Sequence, residues 1–123
     1  MTPPGLPPLL VIAGATATGK TGLAIDVAGR LVGEGITAEI ISADSRQVYR
    51  GLDIGTAKAT VAERRGIPHH GLDLVQPDEP FNLADFAAHA RAVLAALARR
   101  EGPVVAILAG GTGLYLRAVA RGI

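Results

Sequence analysis

The chain has 123 residues, of which 49% are hydrophobic and 3% aromatic; that supports one domain with a core of Ala, Val, Leu and Ile and argues against intrinsic disorder. Lys and Arg number 12 against 11 Asp and Glu, a net charge of +1, so bulk charge makes no case for nucleic-acid binding, and a polynucleotide partner would need a local basic patch or a further domain. The absence of cysteine excludes disulfides, cysteine nucleophiles and thiolate metal sites.

In chain order, the stretch before Leu9 carries Pro3, Pro4, Pro7 and Pro8 and no basic residue, unlike the charged start of a secretory signal. The apolar run Leu9–Ala13 is far short of the about 20 residues needed to span a bilayer, and the expected compartment is the cytosol. That same run stops at Gly14 and predicts a strand buried on both faces, as in a parallel sheet. A helix is expected over Lys20–Val32, with Leu23, Val27 and Leu31 at four-residue spacing beside Ala24 and Ala28, and with Gly33 and Gly35 ending it. Ala38–Ile41 reads as a second strand. Residues 42–60, rich in Ser, Asp, Gly and Thr, read as a functional loop, with a further short helix expected over Thr60–Arg65 and a strand candidate at Leu72–Val75.

Pro77 and Pro80 then interrupt the pattern. Asn82 can cap the clearest helix, Leu83–Arg100, with Asp85 at the third helical position. Its apolar stripe is Leu83, Phe86, Ala90, Val93, Leu94 and Leu97. Arg99 and Arg100 suit its C-terminal dipole, and Gly102 and Pro103 close it. Pro103–Ala109 reads as another buried strand, followed by Gly110-Gly111-Thr112-Gly113 and a helix beginning near Leu114. Strands alternating with helices in this way predict an α/β fold around a mostly parallel sheet, as one domain over residues 1–123.

Gly14-Ala15-Thr16-Ala17-Thr18-Gly19-Lys20-Thr21 matches the Walker A pattern, with a buried strand before it and an amphipathic helix after it. Its glycines let successive backbone N–H groups point inward, and the positive end of the helix favours phosphate. Lys20 offers a mobile cation to phosphate oxygens, and Thr21 a hydroxyl to Mg²⁺. The fold expectation is therefore a P-loop NTPase-like three-layer α/β domain. The loop itself fits a nucleoside triphosphate, a nucleotide diphosphate or a diphosphate ester equally well.

Asp44 follows the second strand and belongs on the ligand-facing edge of a doubly wound sheet. There a carboxylate can accept a proton from a nucleophile, help hold Mg²⁺, or merely cap a turn. Ser45, Arg46 and Gln47 add hydrogen-bonding reach beside it. Gly110 and Gly111 stand at the same edge, and Lys58 is a candidate phosphate contact. His69 and His70 are adjacent, so on a strand they point to opposite faces; a structural role is expected rather than joint metal ligation. Arg64-Arg65 and Arg99-Arg100 read as solvated helix ends, with RNA phosphate contact as the functional alternative.

Three stretches carry a resemblance beyond the phosphate loop. Ile41-Ser42-Ala43-Asp44-Ser45-Arg46-Gln47-Val48-Tyr49 continuing to Lys58, Gly66-Ile67-Pro68-His69-His70-Gly71-Leu72-Asp73, and Leu108-Ala109-Gly110-Gly111-Thr112-Gly113-Leu114-Tyr115 resemble, in order and spacing, the N-terminal part of tRNA dimethylallyltransferases. The family commonly has Pro and Ser where this chain has Ala15 and Thr18. The resemblance implies transfer of a dimethylallyl group from dimethylallyl diphosphate to the exocyclic amine of an adenine beside the anticodon in tRNA. It implies that Gly14–Thr21 hold the diphosphate, with Mg²⁺ on Thr21. Asp44 would accept the proton, Ser45, Arg46 and Gln47 would touch the flipped-out adenine and its neighbours, and Thr112 would contact tRNA or position the donor. The family is longer than one domain, so the chain is expected to be part of a longer transferase, active as a monomer away from membranes. Other functions compatible with the same loop are a small-molecule kinase or NTPase, prenylation of free adenine nucleotides, and an inactive diphosphate-binding fragment.

Overall fold

The computed structural model describes residues 8–13, 20–44, 48–50, 62–72 and 74–110. They form β1 (Leu9–Ala13), α1 (Lys20–Gly33), β2 (Thr37–Ser42), β3 (His69–His70), α2 (Leu83–Ala98) and β4 (Val104–Gly110). The strands make one sheet in the order β1-β4-β2-β3, and each neighbouring pair is parallel. A parallel connection needs a crossover. Helix α1 supplies it between β1 and β2, and α2 lies between β3 and β4.

The side-chain alternation of the strands sorts the core into two layers. Ile41, Ala43, Ala106 and Leu108 pack with Phe86, Ala90, Val93, Leu94 and Leu97 of α2. Ala38, Ile40, Ile107 and Ala109 pack with Ala24, Ile25 and Ala28 of α1. The described residues therefore build a three-layer α/β/α arrangement on a parallel sheet, as the sequence predicts. Small residues on α1 and on the sheet let that helix approach closely, whereas α2 fills its side with Phe86 and leucines.

Helix α2 begins where Asn82 caps it. The Asn82 side chain accepts from the Asp85 amide at 2.9 Å, and the Asp85 carboxylate accepts from the Asn82 amide at 3.0 Å, a reciprocal capping box. Its buried residues are Phe86, Ala87, Ala90, Val93, Leu94 and Leu97, the expected stripe with Leu83 at its margin. Helix α1 closes with the Ile36 amide donating to the Leu31 carbonyl at 2.9 Å and the Gly35 amide to Val32 at 3.0 Å, the Schellman pattern.

Four expectations are corrected. Leu9–Ala13 is a strand, but among the described strands it stands outermost in the sheet, and within the described residues Leu10 is 40% and Val11 42% exposed where burial on both faces is expected. In α1 the buried face is Ala24, Ile25 and Ala28, with Leu23 turned outward; the four-residue spacing of Leu23, Val27 and Leu31 runs along its margin. Within the expected Thr60–Arg65 helix, the described part from Ala62 is a turn, and Arg65 at φ 52° has left the right-handed helical region. The third described strand is His69–His70 rather than Leu72–Val75; among the described residues of that stretch, Val75 pairs, in an isolated parallel bridge with Tyr49. The expected helix from Leu114 lies outside the described residues. No described helix is long and apolar enough to cross a membrane.

Candidate active site

The register of the sheet brings the C-terminal ends of β1, β4 and β2 to one edge. Ala13 pairs with Gly110, and Ser42 with Ala109. The ladder runs one step further, the Ala43 amide donating to the Ala109 carbonyl at 2.8 Å. The chain therefore leaves β1 toward Gly14, β2 toward Asp44 and β4 toward Gly111 from neighbouring positions. Helix α1 starts at Lys20, after the first of these exits. This is the edge at which open parallel sheets bind ligands.

Asp44 is the predicted site residue whose side chain is described. It is 4% exposed and makes polar contacts within the protein. A carboxylate is seldom so buried unless it is partnered or used. Its placement follows from the sequence of β2 and the residue after it: Ala38, Ile40, Ile41 and then Ala43 are buried against both layers and carry the chain straight to the edge. Beyond it, Val48 is buried and fastened to the segment before α2. The Leu74 and Val75 amides donate to the Val48 carbonyl at 2.7 and 3.1 Å, and the Arg50 amide to Val75 at 2.8 Å.

Gly14, Ala15, Thr16, Ala17, Thr18 and Gly19 of the phosphate loop lie outside the described residues, as do Ser45, Arg46, Gln47, Lys58, Gly111 and Thr112. For Lys20 and Thr21 the described feature is the backbone that opens α1; their side chains lie outside it. Among the described residues no group of three or more His, Cys, Asp or Glu is placed to hold a metal. The Asp44 carboxylate at this edge, and the Thr21 hydroxyl that the sequence offers, are hard oxygen donors, the chemistry that suits Mg²⁺.

The paired histidines take structural partners. His70 Nε2 lies 2.7 Å from Glu39 Oε1, and Arg100 donates to the other Glu39 oxygen at 2.8 Å. A carboxylate inside β2 is thereby satisfied from β3 and from the end of α2. His69 points to the other face, its Nδ1–H donating to the Ile67 carbonyl at 2.9 Å. Arg65 pairs with Asp26 of α1 at 2.9 Å, an exposed contact worth little. Thus Arg65 and Arg100 bind carboxylates of the fold. Sequence reading overlooked Glu39, although an acid within Thr37-Ala38-Glu39-Ile40-Ile41 signals a paired cation.

Comparison with known proteins follows the same lines. A family model described as IPP transferase matches residues 47–123. The chain is 57% identical over 118 residues to tRNA dimethylallyltransferase 1 of Trichlorobacter lovleyi, covering 95% of this chain and 36% of that protein. It is 56% identical over 115 residues to a tRNA dimethylallyltransferase of an Anaeromyxobacter species, covering 94% and 35%. Among solved structures, the full-length tRNA isopentenylpyrophosphate transferase of Bacillus halodurans superposes with a TM-score of 0.83 at 44% identity, over 94% of this chain and 36% of that one. A eukaryotic dimethylallyltransferase described as acting on tRNA gives 0.80 at 34% identity, over 90% and 26%. The chain thus spans about a third of the length of the curated relatives it matches. With the family's motifs in order and the matching sheet beneath them, the chain belongs to the IPP transferase family.

Proposed function

We propose that the protein of which these residues form part transfers a dimethylallyl group from dimethylallyl diphosphate to the N6 amine of an adenine beside the anticodon of tRNA. One observation carries the reading furthest: a buried carboxylate, Asp44, stands two residues past the end of β2, on the edge from which β1 leads toward the phosphate loop. A proton acceptor beside a diphosphate site is what this chemistry requires.

In the proposed reaction the N6 lone pair attacks the allylic carbon. The carbon–oxygen bond to the diphosphate breaks, and the amine proton passes to the Asp44 carboxylate. Diphosphate leaves with the bonding electron pair. The backbone of Gly14–Gly19 and the Lys20 cation stabilise the charge that gathers on its oxygens. Thr21 would hold a Mg²⁺ ion, which when bound would supply further positive charge to the leaving group. Ser45, Arg46 and Gln47 receive the adenine, which must leave its stack to be reached. Thr112 contacts the tRNA or steadies the donor.

Calorimetric titration of the full-length protein with dimethylallyl diphosphate and with ATP, each with Mg²⁺, tests the donor site. The expected result is tighter binding of the prenyl diphosphate. Preference for ATP would sink the prenyl-transfer reading and favour a kinase or NTPase.

A further inference from the structure

The glycines that flank the end of β2 differ from the others described. At Gly22, Gly29, Gly33, Gly35, Gly66 and Gly102 an added Cβ would meet nothing within 4 Å. At Gly71 it would lie 2.6 Å from the Ser42 carbonyl oxygen and 3.4 Å from the Ser42 nitrogen. At Gly110 it would run into the Ala43 carbonyl, 2.6 Å from the carbonyl carbon and 2.9 Å from Cα. Real Cβ atoms essentially never stand so close to backbone.

The two positions lie on opposite sides of one strand. Gly71 follows β3, whose register with β2 runs Ile40↔His69 and Ile41↔His70, so it comes next to Ser42. Gly110 ends β4, whose register reaches Ser42↔Ala109, so it comes next to Ala43. Gly71 also sits at φ 87°, a conformation that glycine adopts freely and side-chain-bearing residues seldom do. Both strands thus close in on the two residues that precede Asp44, one from each neighbour. The His70–Glu39 bond at 2.7 Å ties β3 to β2 immediately before Gly71.

The geometry points to Gly71 and Gly110 as positioning residues that fix the Asp44 carboxylate by gripping the Ser42–Ala43 backbone from both sides. The assignment rests on the proposed reading of Asp44 as the proton acceptor. A side chain at either position must displace backbone, because the obstructing atoms are not the end of a flexible side chain. The shift passes directly to Asp44, one or two residues on. A misplacement of about 1 Å at a reacting group costs on the order of 10²-fold in rate.

The test uses the full-length protein, dimethylallyl diphosphate and a tRNA substrate, with Gly110→Ala and Gly71→Asn made alone and on an Asp44→Asn background. Asn is chosen at 71 because it tolerates positive φ while carrying the obstructing Cβ. Each single variant is expected to fold, to bind dimethylallyl diphosphate within about threefold of wild type and to lose at least about tenfold in kcat. On the Asp44→Asn background neither is expected to lower kcat further, since residues acting through one group are not additive. Single variants that keep kcat within about twofold of wild type would overturn the positioning role, as would an equal loss on both backgrounds. Failure of both to fold would assign the glycines to stability and overturn it too. A wild-type protein without transfer activity, or an Asp44→Asn variant as active as wild type, would instead overturn the reading of Asp44 and take the positioning role with it.

Discussion

Two histidines away from the proposed chemistry set a pH dependence of stability. Burial lowers the pKa of His69, with its backbone bond to Ile67 opposing and Arg64 and His70 assisting. Burial lowers His89 as well, helped by His70, whose ring centroid lies 6.4 Å away. The Nε2 atoms of His69 and His89 are both buried without a hydrogen-bond partner, so a proton there would be a desolvated, unpaired charge. The sign follows from linkage: the unfolded chain binds these protons more readily than the folded one. Their contribution is present above the ordinary histidine pKa of about 6.5 and is lost as pH falls through the lower folded values. The melting temperature should therefore drop between pH 7.5 and 5.5, and drop less in His89→Leu. An identical drop in that variant would show that His89 does not titrate on unfolding.

Among the elements, α2 was the most legible in the sequence because its signals are local. Asn82, Asp85 and the stripe from Phe86 to Leu97 determine a cap and a buried face without reference to the rest of the chain, and the capping box is present. Asn82→Ala removes one half of that box and should destabilise the protein by about 1 kcal/mol. Chemical denaturation reads this directly, and an unchanged midpoint would mean that Asp85 and solvent cap the helix equally well. The remaining strands were less legible for reasons that lie outside them. β3 comprises only His69–His70, and what makes it a strand is pairing with β2 and the Glu39 contact, both distant in sequence. The apolar run of β1 marked it as a strand but did not reveal that it stands outermost among the described strands. The turn at Arg65 depends on one backbone angle that composition does not display.

At the scale of the molecule, strand order was hidden from periodicity, since β1 and β2 are consecutive in the chain yet separated by β4. It is nevertheless this order that sets the exits of β1, β4 and β2 side by side. The placement of Asp44 at the carboxyl edge was legible, because a buried strand followed by a polar loop leaves few alternatives. The closeness of Gly71 and Gly110 to its backbone was not, since it arises between strands.

The most direct measurement is transfer of labelled dimethylallyl from its diphosphate to tRNA by the full-length protein, comparing wild type with Asp44→Asn. The account predicts modified adenosine in the wild-type product and a loss of about 10²- to 10⁴-fold in kcat in the variant, the range a general base supplies, with diphosphate binding retained. Transfer by Asp44→Asn at the wild-type rate would contradict it.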